Sequence, residues 1–187
     1  MIKRTILFSS LAVLASFGTA SIARAQVSSP LKVTVFGGAA MPVGDSQDAL
    51  QTGYSVGGAL DLRMPLSPIG ARGEVTYSGF DAKGLSGSGV SANLKDLGVN
   101  ANLVYAITSP TPVKPYLTAG PSWSHQTGTV SGSVSGSDSE NAWGFNAGGG
   151  LDFALGGLGT RLDVRYRRLS KNGNSFSVIP VTFGITF

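Results

Sequence analysis

The chain has 187 residues, of which 42% are apolar, 13% are charged and 27 are glycine, with no cysteine. A disulfide scaffold and a cysteine-ligated metal site are excluded, and the charged fraction is about half that of soluble domains. The formal charge of +4 falls to +1 once Lys3, Arg4 and Arg24 are set aside with the first 25 residues, leaving 11 basic against 10 acidic side chains; this argues against a basic nucleic-acid binder.

Met1-Ile2-Lys3-Arg4 forms a positive n-region, Ile6 to Phe17 an apolar h-region of 12 residues, and Ala23-Arg24-Ala25 a small-x-small site. Together they predict cleavage of a secretory signal before Gln26. A membrane anchor needs about 20 apolar residues, and Ser9, Ser10, Ser16 and Gly18 interrupt this stretch. Residues 1–25 are therefore read as a signal peptide and residues 26–187 as one mature domain of 162 residues.

The mature chain holds no 18-residue apolar run, and 26 glycines in 162 positions disfavour helices. Period-two alternation recurs instead, in eight segments. Leu31 to Met41 places Leu31, Val33, Val35 and Met41 on one face. Tyr54 to Met64 sets Tyr54, Val56, Leu60 and Leu62 against Ser55, Gly57, Asp61 and Arg63. From Ala71 to Phe80, Val75 and Tyr77 oppose Arg72, Glu74 and Thr76. Asp96 to Ile107 alternates Leu97, Val99, Leu103 and Tyr105 with Asp96, Gly98, Asn100 and Asn102. Tyr116 to Ser124 is the least regular, with Leu117, Ala119 and Trp123 against Thr118, Gly120 and Ser122. Trp143, Phe145, Leu151 and Phe153 mark the sixth segment. In the seventh, Arg161, Asp163, Arg165 and Arg167 interleave with Leu162, Val164 and Tyr166. The last runs from Val178 to Phe187, with Ile179, Val181, Phe183, Ile185 and Phe187 on one face.

Connectors after the even segments are short: residues 65–68, 109–112 and 156–159. Those after odd segments are mostly longer and polar, such as Asp81 to Lys95 and His125 to Asn141. Long alternating with short predicts an all-β fold, an eight-stranded antiparallel up-and-down transmembrane barrel with turns in the periplasm and loops outside. A soluble carrier barrel also alternates, with its apolar face inside. Three features favour apolar-out. The polar face is rich in Gly, Ser, Thr and Asn and poor in Lys and Glu, which suits a narrow filled lumen. Tyr54, Tyr77, Tyr105, Trp143, Tyr166 and Phe187 gather toward strand ends, as interfacial girdles do. The chain's final residue, Phe187, ends an alternating apolar strand.

That ending, Ile179, Val181, Phe183, Ile185 and Phe187, resembles the C-terminal signature of outer-membrane β-barrel proteins. The mature chain as a whole resembles the small eight-stranded group of the OmpA transmembrane domain, OmpX and the opacity-type proteins. The resemblance implies location in a bacterial outer membrane, contact with its lipid, and biogenesis through periplasmic chaperones and the barrel-assembly machinery. Pro180 cannot donate a ladder hydrogen bond, so a bulge or a local gap is expected there.

Ten charged residues fall on the expected inner face: Asp61, Arg63, Arg72, Glu74, Asp96, Asp152, Arg161, Asp163, Arg165 and Arg167. Asp152 and Arg161 flank the third short turn symmetrically and should meet across it. Eight strands leave room only for side chains, so a plug of ion pairs is the favoured reading and a small pore lined by Arg161, Arg165 and Arg167 the alternative. The run Gly148-Gly149-Gly150 lies within a strand pattern, where close packing explains it better than a phosphate loop.

The single histidine, His125, lies near Ser124, Thr127 and Glu140. This arrangement is faintly similar to that of the lipid A deacylases, with Thr127 where serine is expected, so a lipid-modifying activity on lipid A is the second alternative. The plainer reading is a loop histidine in a Ser/Gly tract. HExxH and P-loop patterns are lacking, and no catalytic function, cofactor or metal is expected. Residues 84–89 and 127–140 are Ser/Gly-rich and are read as mobile, solvated loops. The expectation is thus a monomeric, non-enzymatic outer-membrane barrel with a structural or surface-contact role and loops facing a partner of unspecified identity.

Overall fold

Backbone N–H and C=O groups cannot be left unpaired in a lipid phase, which admits strands only when their edges close on one another. The computed structural model describes residues 30–64, 66–84, 90–132, 135–155, 157–171 and 174–187. The leader, with Ala23, Ala25 and Gln26, lies outside the described residues, as do residues 85–89 of the first Ser/Gly tract. The elements in chain order are β1 (Leu31–Pro42), α1 (Asp45–Ala49), β2 (Gly53–Arg63), β3 (Ile69–Asp81), β4 (Ser91–Ala106), β5 (Lys114–Ser131), β6 (Gly136–Leu155), β7 (Leu158–Lys171) and β8 (Asn174–Thr186).

The eight strands form one closed antiparallel barrel in sequence order, sealed where β1 pairs with β8. Val33 and Phe187 exchange backbone hydrogen bonds of 2.8 and 3.2 Å at the foot of that seam. A row of paired residues followed once around the wall climbs β1 from Leu31 to Met41, ten residues. With a rise of about 3.3 Å per residue and about 4.8 Å between strands, that stagger tilts the strands by about 40°. No described helix is long and apolar enough to cross a membrane; the crossing elements are strands.

The apolar face points outward. Val99, Phe183 and Ile185 are 43%, 46% and 38% exposed, whereas their neighbours Asn100 and Thr182 are buried. Ile179 and Val181 lie on the same outer wall, half-buried, and Phe187 is exposed at its lower edge. Toward the loop end the Tyr54 and Tyr77 rings stand 6.3 Å apart and the Phe145 and Tyr166 rings 6.2 Å apart, as an aromatic belt requires.

Two prolines interrupt the ladders without shifting them. β7 and β8 pair at Val164↔Val181 and again at Arg167↔Val178, skipping the positions opposite Ile179 and Pro180. β4 and β5 likewise skip Gly120 and Pro121. The expected irregularity at Pro180 is therefore a local gap and not a bulge.

Several strands outrun their predicted ends. The tract 127–140, expected as a mobile loop, is mostly ladder: Thr127↔Ser139, Gly128↔Asp138, Thr129↔Ser137 and Val130↔Gly136 are paired. The segment 81–95 is also partly strand, since β4 begins at Ser91. Composition argued for loops there. A hairpin already zipped from below continues at little cost in loop closure, and Thr127, Thr129 and Val130 are β-branched.

Candidate functional site: an ion-paired lumen and an apolar cap

Inward positions alternate up every strand, so charged residues spaced two apart stack into a column along the axis. All ten charged residues singled out on the inner face meet there. Eight ion pairs join five arginines to five carboxylates. At the base, Arg161 donates from Nε and Nη2 to Asp152 (2.7 and 3.2 Å), and Arg63 donates to the same carboxylate. One level up, Asp61 accepts from Arg161 Nη1 and Arg72 Nε, each at 2.7 Å. Asp163 accepts from Arg165 and from the Tyr116 hydroxyl, and lies 3.5 Å from Arg72 Nη1. Glu74 accepts from Arg165 Nη2 at 2.7 Å and from Asn100 Nδ2 at 3.2 Å. At the top, Arg167 Nη1 donates to Asp96 at 2.5 Å, and Ser124 and Gln126 donate to the same carboxylate.

Tyr116 is the member that sequence reasoning missed. Its ring is buried beneath the Arg72 and Arg161 guanidinium groups, 4.8 and 5.3 Å from its centroid, an attractive cation–π arrangement. Its parity with Thr118, Gly120 and Ser122 was the available signal. Gly150 explains how the ring fits: a Cβ there would lie 2.5 Å from the Tyr116 hydroxyl. Gly98 similarly leaves room for Arg167, whose Nη2 lies 2.7 Å from where a Cβ would stand.

Above the charges the lumen turns apolar. Ala40, Phe80 and Val178 are buried, with Leu50, Leu94 and Phe176 packed against them. Phe80 meets Phe176 edge to face at 5.6 Å. Helix α1, which alternation could not foresee, straps this cluster: Ser177 N donates to Ser46 Oγ at 3.0 Å, and Lys83 Nζ donates to the Gln47 carbonyl at 2.6 Å. Between cap and charges the free space is about 20 Å3, room for about one water molecule. Arg167 Nε and Nη2, Thr76 Oγ1 and Asn146 Oδ1 border it without a protein partner.

The histidine constellation is not assembled. His125 Nδ1 lies 2.9 Å from Asn141 Oδ1, and Thr127 Oγ1 lies 3.3 Å from Ser139 Oγ, across the β5–β6 ladder. Glu140 is opposite Gln126, which places it on the other face of the hairpin from His125 and Thr127. Ser124 is fully buried in the lumen and committed to Asp96. Residues adjacent in a strand face opposite ways, so nearness in sequence brought no nucleophile, base and acid together.

A closed barrel with apolar residues outside and paired charges within is an integral membrane protein of the strand-crossing class. The chain belongs to the outer membrane protein beta-barrel domain family, whose match spans residues 9–187. It therefore resides in the bacterial outer membrane, with its short turns periplasmic and its long connections outside. No curated protein matches it. Among solved structures it is similar to Neisserial surface protein A, 19% identical over 84% of this chain and 96% of that one, with a TM-score of 0.59. It is also similar to a major outer membrane protein from Thermus thermophilus, 16% identical over 84% and 98% of the two chains, TM-score 0.59. The outer membrane enzyme PagL is 19% identical over 82% and 98%, TM-score 0.50. At these identities the likeness is one of fold, which by itself assigns no role.

Proposed function

We propose that this protein is a non-conducting, non-enzymatic outer-membrane barrel that acts as a monomer, stiffening the envelope and presenting its β5–β6 hairpin to surfaces outside the cell. The observation that carries this reading is the doubly filled lumen, with matched charges below and an apolar cluster strapped by α1 above. Such a column leaves no aqueous path for ions and rigidifies the cylinder by cross-linking strands on opposite walls. The hairpin supports the second half: β5 and β6 run 18 and 20 residues, well beyond the about ten that cross a bilayer. Delivery by a secretory signal and insertion through periplasmic chaperones and the assembly machinery belong to the same reading, as does the lack of any cofactor.

The test compares cells lacking the protein with cells carrying the wild type or a form in which residues 127–140 are replaced by a two-residue turn. Loss of the protein should raise detergent sensitivity, and the shortened form should restore resistance without restoring surface attachment. Unitary currents from refolded protein in planar bilayers, or a change in lipid A acylation by mass spectrometry on expression, would overturn the proposal in favour of a pore or an enzyme.

A further inference from the structure

The periplasmic mouth holds two cations that the ion-pair network does not use. Lys32 enters from β1 and Lys114 from β5, strands on opposite walls of the barrel. Both line a cleft of about 180 Å3 together with Asp152, Thr160, Phe153 and Pro112. Lys32 is half-buried and Lys114 exposed. Neither ammonium group has a hydrogen-bond or ion-pair partner among the described residues. The network behind them is balanced, five cations against five anions, and Asp152 is already held by Arg161 and Arg63. The turn segments 64–68, 107–113 and 156–157 contain no acidic residue. The mouth therefore carries a surplus of positive charge, which Asp152, already shared by Arg161 and Arg63, offsets only in part.

We infer that Lys32 and Lys114 form a clamp for a phosphate group approaching from the periplasmic side. A phosphate bearing about 1.5 to 2 negative charges at neutral pH matches the surplus. Lysine binds it as a mobile point charge, so the two side chains can close on it from opposite walls. Free inorganic phosphate and the headgroup of an inner-leaflet phospholipid offer the same chemistry.

Lysine acetylation kinetics, read residue by residue by mass spectrometry, test this on the mature chain refolded in uncharged maltoside micelles. One arm adds inorganic phosphate; the other dopes the micelles with phosphatidylglycerol and adds no phosphate. At ten times the dissociation constant, occupancy should slow acetylation of Lys32 and Lys114 about tenfold, leaving Lys83 and Lys95 at the opposite end unchanged. Protection in the first arm alone assigns the free ion, and protection in the second assigns the headgroup. Unaltered rates in both arms, or equal slowing of all four lysines, overturn the clamp. Lys114→Gln, at an exposed site where heat-modifiable gel mobility can verify folding, should abolish protection of Lys32; persistence of that protection also overturns it.

Discussion

The lower lumen and its outer cap solve one problem, filling the inside of a narrow barrel, by opposite physical means. Below, five arginines and five carboxylates interlock through defined donor–acceptor geometry. Above, Phe80, Phe176, Val178 and Ala40 fill space with no polar atoms to satisfy. A buried charge must find its own counter-charge or bear a large desolvation cost, whereas an apolar cap asks only for volume and shape. The charged region should therefore tolerate change poorly and the cap should tolerate it well.

That contrast is broken or sharpened by unfolding refolded protein in lipid vesicles with urea. The largest effect is expected for Arg161→Met, which strips both Asp61 and Asp152 of a partner. Truncating one member of a buried pair costs about 3–5 kcal/mol. Val164→Arg, on the lipid face, should cost about 2–4 kcal/mol near the membrane midplane. Arginine at Leu66, in a periplasmic turn and fully exposed, should be close to neutral by the same assay, and equal losses at the two sites would contradict the apolar-out register. Gly150→Ala would set a methyl group 2.2 Å from the Leu162 carbonyl oxygen and 2.5 Å from the Tyr116 hydroxyl, so both the β7 backbone and the ring must shift, and overpacking of this kind costs about 1–3 kcal/mol. Phe80→Leu in the cap should be the mildest of the changes inside the barrel, under about 1.5 kcal/mol. A cap loss exceeding that of Arg161→Met would show that the apolar cluster, and not the ion pairs, holds the barrel closed.

Much of this was readable along the chain because both wall faces repeat with period two. The outward set from Val33 to Phe183 and the ten inward charges follow from parity alone. Asp152 and Arg161 were paired from their symmetric distance to a short turn, which an antiparallel hairpin converts directly into contact. Parity fails where chemistry and position disagree. Tyr116 looks like a girdle residue by type, and its place under Arg72 and Arg161 is visible only when β5 is set against β3 and β7. His125 and Glu140 look like partners by spacing, and the ladder separates them.

Alternation, turn length and charge inventory thus determined by themselves that this chain builds a barrel, which way its faces point and which charges it encloses. These are local properties, carried by each residue's own polarity and its place in a two-residue repeat. Tertiary structure alone decided which arginine takes which carboxylate, that α1 and six apolar residues close the outer end, and that a Ser/Gly tract runs on as paired strand. Those outcomes depend on the stagger between strands, which brings residues 100 positions apart, such as Asp61 and Arg161, to the same height in the lumen.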